Sequence, residues 1–384
     1  MNFLKSVRGI KTTLGTNFNN IKGYYTKRKF IVIDSDDWGT IRMSSSSVYN
    51  KLLKAGIGVD KCNYCKYDSL ETQEDLSSLF ELLLSYKDIN NKPPVFTANV
   101  IVANPDFTKI VEGNFEKYFF EPVTETFNKF NSTARSFSFW QKGLSEGVFY
   151  PQLHGREHLN VNRWMDQLRK KSEESLLTFQ NNMFGISTDI TKEKRRSYMA
   201  ALDFDSEDEL LQIKEMLIDA QNLFYDYFKF KSHSFIAPNY TWSSRIEPFL
   251  QNVGIKFIQG IRVQQTPFAE KIKNVKHFTG QQNKHNQFYL VRNCFFEPSV
   301  MKNRVEAVQN CLNQIEAAFR WNKPSIISTH RLNYTGSLDE TNRSTNLNLL
   351  KRLLDSILKK WPDVEFITSD KLGELIENKM LRND

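Results

Sequence analysis

Two aspartates stand side by side at positions 36 and 37, in the run Asp34-Ser35-Asp36-Asp37-Trp38-Gly39 that follows the apolar segment Phe30–Ile33. Adjacent carboxylates cannot both ionise cheaply unless a cation or a set of donors compensates them. Far along the chain, His154 and His158 present two imidazoles at i, i+4, a spacing that brings both to one side of a helical turn. One carboxylate and two imidazoles can hold a divalent metal and still leave positions open for water, as catalytic zinc sites do. The remaining aspartate could then take a proton from that water, whose pKa the metal lowers. His330 follows another apolar run, Ser325–Thr329, where it could protonate a leaving group. Base, metal-bound water and acid together describe hydrolysis of a carbonyl derivative. Taken singly, an Asp-Asp pair reads as a solvated turn, His-x-x-x-His as a chance pair, and a strand-end histidine as structural. Their conjunction in one chain order is what points to chemistry.

These residues need elements to position them, and the apolar patterning supplies candidates. Strands are expected at Phe30–Ile33, Val95–Val102, Val148–Leu153, Phe235–Ala237, Lys256–Ile258, Phe288–Arg292, Ser325–Thr329 and Val364–Ile367. Several are continuous apolar runs, the pattern of strands covered on both faces. Helices are expected at Glu71–Tyr86, from a Ser206/Glu209 capping box to about Phe228, and at Val305–Trp321 and Thr345–Lys360, the last stopped by Pro362. Strands alternating with helices predict an α/β fold with a mostly parallel sheet, open or closed into a barrel, over residues 30–384. In such folds the polar residues just past the carboxyl ends of the strands share one rim. That rim collects Asp34–Gly39, His154–His158, Pro238-Asn239-Tyr240 and His330-Arg331, and so three of the six histidines.

Composition narrows the class. Of 384 residues, 40% are hydrophobic and 25% charged, proportions that build a sizeable core and exclude wholesale disorder and fibrous repeats. No apolar run approaches the ~18 residues that span a bilayer, and Lys5, Arg8 and Lys11 interrupt any signal-type segment, so a cytoplasmic protein is expected. Fifty-two basic residues against 44 acidic ones give a net +8, and residues 1–29 hold seven of those bases and no acid. This basic segment could lie as an amphipathic helix on an anionic membrane surface, contact phosphates, or simply be a solvated terminus. The nearly neutral remainder carries no reading module or basic stripe for nucleic acid. Four cysteines, with only one close pair at Cys62 and Cys65, read as reduced thiols, with a redox pair or a metal site as the lesser alternatives.

At its motif residues the chain resembles the polysaccharide deacetylase family, metal-dependent carbohydrate esterases built on a distorted (β/α)7 barrel. Ser35-Asp36-Asp37-Trp38-Gly39 looks like the family's Thr-Phe-Asp-Asp-Gly motif with a Trp inserted before the Gly, and His154/His158 match its His-x-x-x-His. Phe235–Tyr240 stands where Arg-x-Pro-Tyr is expected, and Ile326–His330 is similar to the apolar strand that ends in the acid histidine. The resemblance implies Asp36 as base, Asp37, His154 and His158 as ligands of Zn2+ (or Co2+ or Mn2+), and His330 as acid. It further implies an acetylated glycan as substrate, with an Asn239–Tyr240 backbone N–H meeting the oxyanion; Trp38, near these residues in sequence, would suit stacking on a sugar face, or else belongs to the core. Two departures stand out. The family's arginine that braces the catalytic aspartate is replaced by Ile236, so another guanidinium must do it, with Arg42 the first choice and Arg156 and Arg331 the others. The aspartate that tunes the acid histidine has no obvious counterpart.

Three rival readings remain. His154–His158 also spells His-x-x-Glu-His, a zinc-peptidase pattern with Glu157 as base. Pro151 before it and Gly155 within it oppose the helix that pattern needs. Asp34-Ser35-Asp36 could be the D-x-D of a glycosyltransferase, which leaves the histidines idle. A carbohydrate-binding barrel that has lost its chemistry is the non-enzymatic alternative.

Overall fold

The computed structural model describes residues 17, 20–129, 132–184, 197–268 and 271–381. The amphipathic helix considered for the basic segment falls largely on residues 1–16, outside the described residues. From residue 20 onward the segment runs against the barrel, with the Tyr24 N–H donating to the Thr279 carbonyl (2.7 Å) and that of Thr26 to Asn322 (2.9 Å). Among the described residues no helix is long and apolar enough to cross a membrane.

All eight expected strands form: β1 (Lys29–Trp38), β2 (Phe96–Ile101), β3 (Phe149–Gly155), β4 (Ser234–Ile236), β5 (Phe257–Ile261), β6 (Phe288–Arg292), β8 (Ser325–His330) and β9 (Val364–Phe366), with a short β7 (Cys294–Phe295) between β6 and β8. They pair in parallel in the order β6-β5-β4-β3-β2-β1-β8-β7, with β9 on the lower end of β1. Only Asn293 separates β6 from β7, so one chain segment pairs with β5 through its first half and with β8 through its second. The sheet therefore closes into a barrel with seven strand positions. Asn293 makes the corner: its N–H donates to the Ile326 carbonyl (3.1 Å), its side-chain oxygen accepts from the Ile326 N–H (2.8 Å), and its amide donates to Pro324 (3.0 Å).

The interior has two halves, set by the period-2 alternation of strands. Phe30 and Val32 of β1, Phe257 of β5, Phe288 and Leu290 of β6 and Ile326 of β8 fill the lower half, packed against Leu372 and Ile376 of the C-terminal helix Ser369–Leu381. Two residues further along the same faces come Asp34 and Asp36, Gln259, Arg292, and Ser328 and His330. The upper half of the barrel is thus polar, and it opens at the carboxyl ends of the strands.

Outside the barrel, helices Gln73–Leu84, Glu207–Phe228, Glu306–Arg320 and Glu340–Lys360 cover the sheet with one large apolar core. Ser206 caps its helix by accepting from the Glu209 N–H (3.2 Å), but the Glu209 carboxylate accepts from the Asp205 N–H instead of closing the expected box. The helix expected from Thr345 begins at Glu340, because Asp339 accepts from the Asn342 N–H and starts it one turn earlier within a polar stretch. Two antiparallel hairpins, Ala103–Pro105 with Phe120–Pro122 and Val263–Phe268 with Lys271–Lys276, were not expected from the sequence.

The floor of the barrel leaves no room for a side chain at Gly373, where a Cβ would stand 2.4 Å from the buried Phe257 ring. Gly373→Val is expected to lower stability by about 1–3 kcal/mol through overpacking, measured as a shift of the urea midpoint at unchanged slope.

Candidate metal centre and active site

Neighbouring residues on a strand point to opposite faces, so Asp36 and Asp37 can face one cavity only if the strand breaks between them. It does. Pairing with β2 shifts register between Ser35 and Trp38, and Asp37 adopts φ 74°, a left-handed conformation that aspartate tolerates better than most residues. Trp38 is then turned into the core, wholly buried, edge-on to Phe149 at 5.2 Å and donating to Ser35 Oγ (3.0 Å). The expected role of Trp38 beside a sugar is therefore corrected: it is a packing residue that secures the bulge.

His154 ends β3, and Gly155, at φ 127°, lets the chain leave the strand and bring His158 back beside it. The two histidines thus meet through a strand end and a loop rather than along the helical turn expected from their spacing. Main-chain bonds from Val102 and Ala103 to the Arg156 carbonyl (3.2 and 2.8 Å) hold that loop. His154 Nδ1 lies 2.9 Å from the Ile236 carbonyl, so it carries the proton and Nε2 is an acceptor. Burial depresses His158 well below the usual imidazole value.

Asp37 Oδ1 lies 3.3 Å from His154 Nε2 and 3.3 Å from His158 Nε2, and all three residues are buried. Burial opposes ionisation of Asp37, yet the charge of Arg42 holds its carboxyl well below the usual range. A cation set among this carboxylate oxygen and the two ring nitrogens would satisfy all three at once. Ligands bound at about 2.1 Å to a tetrahedral ion stand roughly 3.4 Å apart, which the observed spacing fits.

Asp36 is braced by Arg292, at 2.6 Å to each carboxylate oxygen, with Asn99 donating to Oδ1 at 2.8 Å. Burial would raise Asp36, but the charge and paired hydrogen bonds of Arg292 hold it down to about 2. Arg292 Nε also reaches Asp34 at 3.3 Å. The assignment of Arg42 to this task is corrected. Arg42 lies 3.3 Å from Asp37 Oδ2 and 3.6 Å from Asp68, so it pairs with Asp37 and not with Asp36. Arg331 and Arg156 do not brace Asp36 either: the first sits between Asp68 and Glu71, the second pairs with Glu157 and Asp219. Sequence reasoning missed Arg292, although it ends an expected strand as the one charge after four apolar positions.

His330 Nε2 stands 3.7 Å from Asp36, and its Nδ1 is 2.6 Å from Glu297, which also accepts from Asn333 (2.8 Å). Burial opposes the charged imidazole, but the charge and hydrogen bond of Glu297 outweigh it and push His330 up to about 9. Glu297, just past β7, fills the place that had no counterpart in the sequence reading. Asn239 and Tyr240 border the cavity with both φ angles positive (57° and 52°). The Tyr240 N–H closes a turn onto Ala237 (3.0 Å), which withdraws it from the expected oxyanion role. Glu157 has both oxygens held by Arg156 (2.7 and 2.8 Å), so the base of the peptidase reading is occupied elsewhere. Asp34 is likewise committed inside the barrel, to Arg292 and Ser369, which removes the D-x-D reading.

Fold and site together define a (β/α) barrel with a buried Asp-His-His centre at its carboxyl-end rim. No protein-family model matches the sequence, and no curated protein matches it. Among solved structures the chain is similar to a "probable polysaccharide deacetylase" from Pseudomonas aeruginosa PAO1, with 9% identity, 91% of each chain covered and a TM-score of 0.46. It is similar to Puue allantoinase at 9% identity, covering 91% of this chain and 90% of that one, with a TM-score of 0.45. It is also similar to the α-amylase AmyC from Thermotoga maritima at 8% identity, covering 90% and 74%, with a TM-score of 0.43.

If the triad holds a cation, the purified protein binds about one equivalent of Zn2+ or Co2+, and Asp37→Ala and His158→Ala lose it by elemental analysis. Arg292→Met is expected to keep the metal, since it touches Asp36 alone among the rim residues assigned to metal or proton transfer.

Proposed function

We propose that this protein is a metal-dependent hydrolase that removes an acyl group, of the acetyl type, from the nitrogen or oxygen of a glycan or glycan precursor. The observation that carries the reading is the convergence of Asp37, His154 and His158 with a braced base and a tuned acid 3.7 Å apart beside them. A divalent cation held by the three ligands supplies Lewis-acid polarisation of a carbonyl and an acidified water. Asp36, ionised and fixed by Arg292 and Asn99, accepts the proton of the attacking water. The Asn239 part of the loop after β4 offers its backbone to the developing oxyanion, a type of contact whose loss costs about 3 kcal/mol in comparable sites. His330, kept protonated by Glu297, delivers its proton to the departing amine or alkoxide. The pairing of His330 with Glu297 and of Asp36 with Arg292 favours an enzyme over a barrel that only binds sugars, because binding needs neither.

Acetate release from acetylated chito-oligosaccharides or acetylated xylan, measured on metal-loaded protein, tests the reading. Asp36→Asn should cut kcat by about 10²–10⁴-fold with the metal retained, and unaltered turnover on a verified substrate refutes the assignment. His330 acts in its protonated form, so activity persists on the acid side of its pKa and fades as pH rises through it. Glu297→Gln removes the charge that raises that pKa, and the alkaline limb of kcat/KM should move to lower pH.

A further inference from the structure

The cavity beside the triad has a volume of about 180 Å³. That is room for on the order of a dozen waters, several times what an acetyl group displaces. Its wall away from the ionisable residues is sulfur-rich and apolar: Met43, Cys62, Cys65, Met183 and Met199 all face it. Four of these five belong to one buried cluster, backed by Leu52, Ile57 and Val59, so the wall is continuous with core and not a scatter of single side chains. None of the four cysteines forms a disulfide, and all four are buried. The Cys65 thiol is raised by its hydrogen bond with Cys62 and by burial, so the pair behaves as two small hydrophobes. The wall reaches the reacting centre, because Arg42, which holds Asp37, places Nη1 2.9 Å from Met199 Sδ and lies over the Tyr64 ring, which in turn meets His330 edge-on at 5.6 Å. Among the described lining residues, neutral donors and acceptors are few, chiefly Ser197, Asn239 and the two tyrosines.

We infer that the acyl pocket of this site also admits aliphatic chains longer than acetyl, seated against the methionine and cysteine wall. The inference rests on the hydrolase reading for its chemistry and specifies which substrate that reading takes. Thioether side chains are unbranched and adaptable, which suits a pocket for a flexible chain. Each methylene buried there should strengthen transition-state binding about fourfold.

Two series of probes test it on the full chain loaded with Zn2+. Hydrolysis of p-nitrophenyl acetate, butyrate, hexanoate and octanoate gives kcat/KM against chain length, and calorimetry with the matching alkyl hydroxamates gives affinity without turnover. Both should rise by about fourfold per methylene until the pocket is full. Met199→Trp and, independently, Met183→Phe should each lower the hexanoyl-to-acetyl ratio at least tenfold, with zinc content showing that the site is still formed. Acetyl preferred in both series, with Asp36-dependent turnover, leaves the hydrolase standing and overturns the longer acyl group. Hydroxamate affinity that climbs with length, alongside no turnover of any ester, sustains the pocket and overturns the catalytic reading.

Discussion

Everything at the rim follows from burying two consecutive carboxylates against one cavity. An unpaired buried carboxylate costs several kcal/mol, so each of the pair needs its own positive partner, and the two partners must not be the same group. Asp36 takes Arg292, whose guanidinium is wholly buried within the barrel. Asp37 takes Arg42 on one oxygen and turns the other toward the ring nitrogens of His154 and His158, a set of three atoms that a cation from outside the chain would satisfy. The same division distinguishes the two carboxylates: Arg292 saturates both oxygens of Asp36, while Asp37 keeps one oxygen turned toward the imidazoles.

The partners need anchoring in their turn, and this extends the polar network beyond the cavity. Arg42 leans on Asp68, Asp68 on Arg331, and Arg331 on Glu71 at 2.7 Å. Glu71 also accepts from the Gly39 N–H (3.0 Å) and from Trp140 (3.1 Å), which returns the chain of contacts to the turn just after Asp37. The loops after β1 and β8, far apart in sequence, are locked together by this circuit. Buried pairs of this kind add little to net stability compared with apolar packing, but removing one member strands its partner. Burial accordingly raises the carboxyls of Asp34 and Asp68 to about 6, whereas direct bidentate pairing keeps Asp36 low.

The barrel was largely legible in the sequence because its strands are apolar runs, and the rim rule led from those runs to Asp36, Asp37, His154, His158 and His330. What was not legible has a common cause: it depends on distance across the barrel, which spacing does not encode. Arg42 lies six residues from Asp36 and was the natural brace, while Arg292 lies 256 residues away and does the work. The period-2 pattern held a usable signal, since Phe288, Leu290 and Arg292 share one inward face, as do Ile326, Ser328 and His330. Trp38 was misread for the opposite reason. Its closeness in sequence to the ligand suggested the cavity, but the left-handed turn at Asp37 reverses the side on which the next residue emerges.

The resemblance implies an arginine where the fourth strand carries Ile236, and the geometry gives a physical reason why none is needed there. Bracing Asp36 requires a buried guanidinium at hydrogen-bonding distance from both oxygens, and the axis of a closed barrel can be reached from several strand ends. Supplying it from β6 leaves Ile236 free to be apolar, and the one contribution β4 makes at that residue is its carbonyl, which orients His154 at 2.9 Å. A backbone carbonyl is present whatever the side chain. Replacement of the motif arginine therefore says nothing by itself about loss of chemistry, because the electrostatic requirement attaches to the carboxylate being braced and not to the strand that braces it.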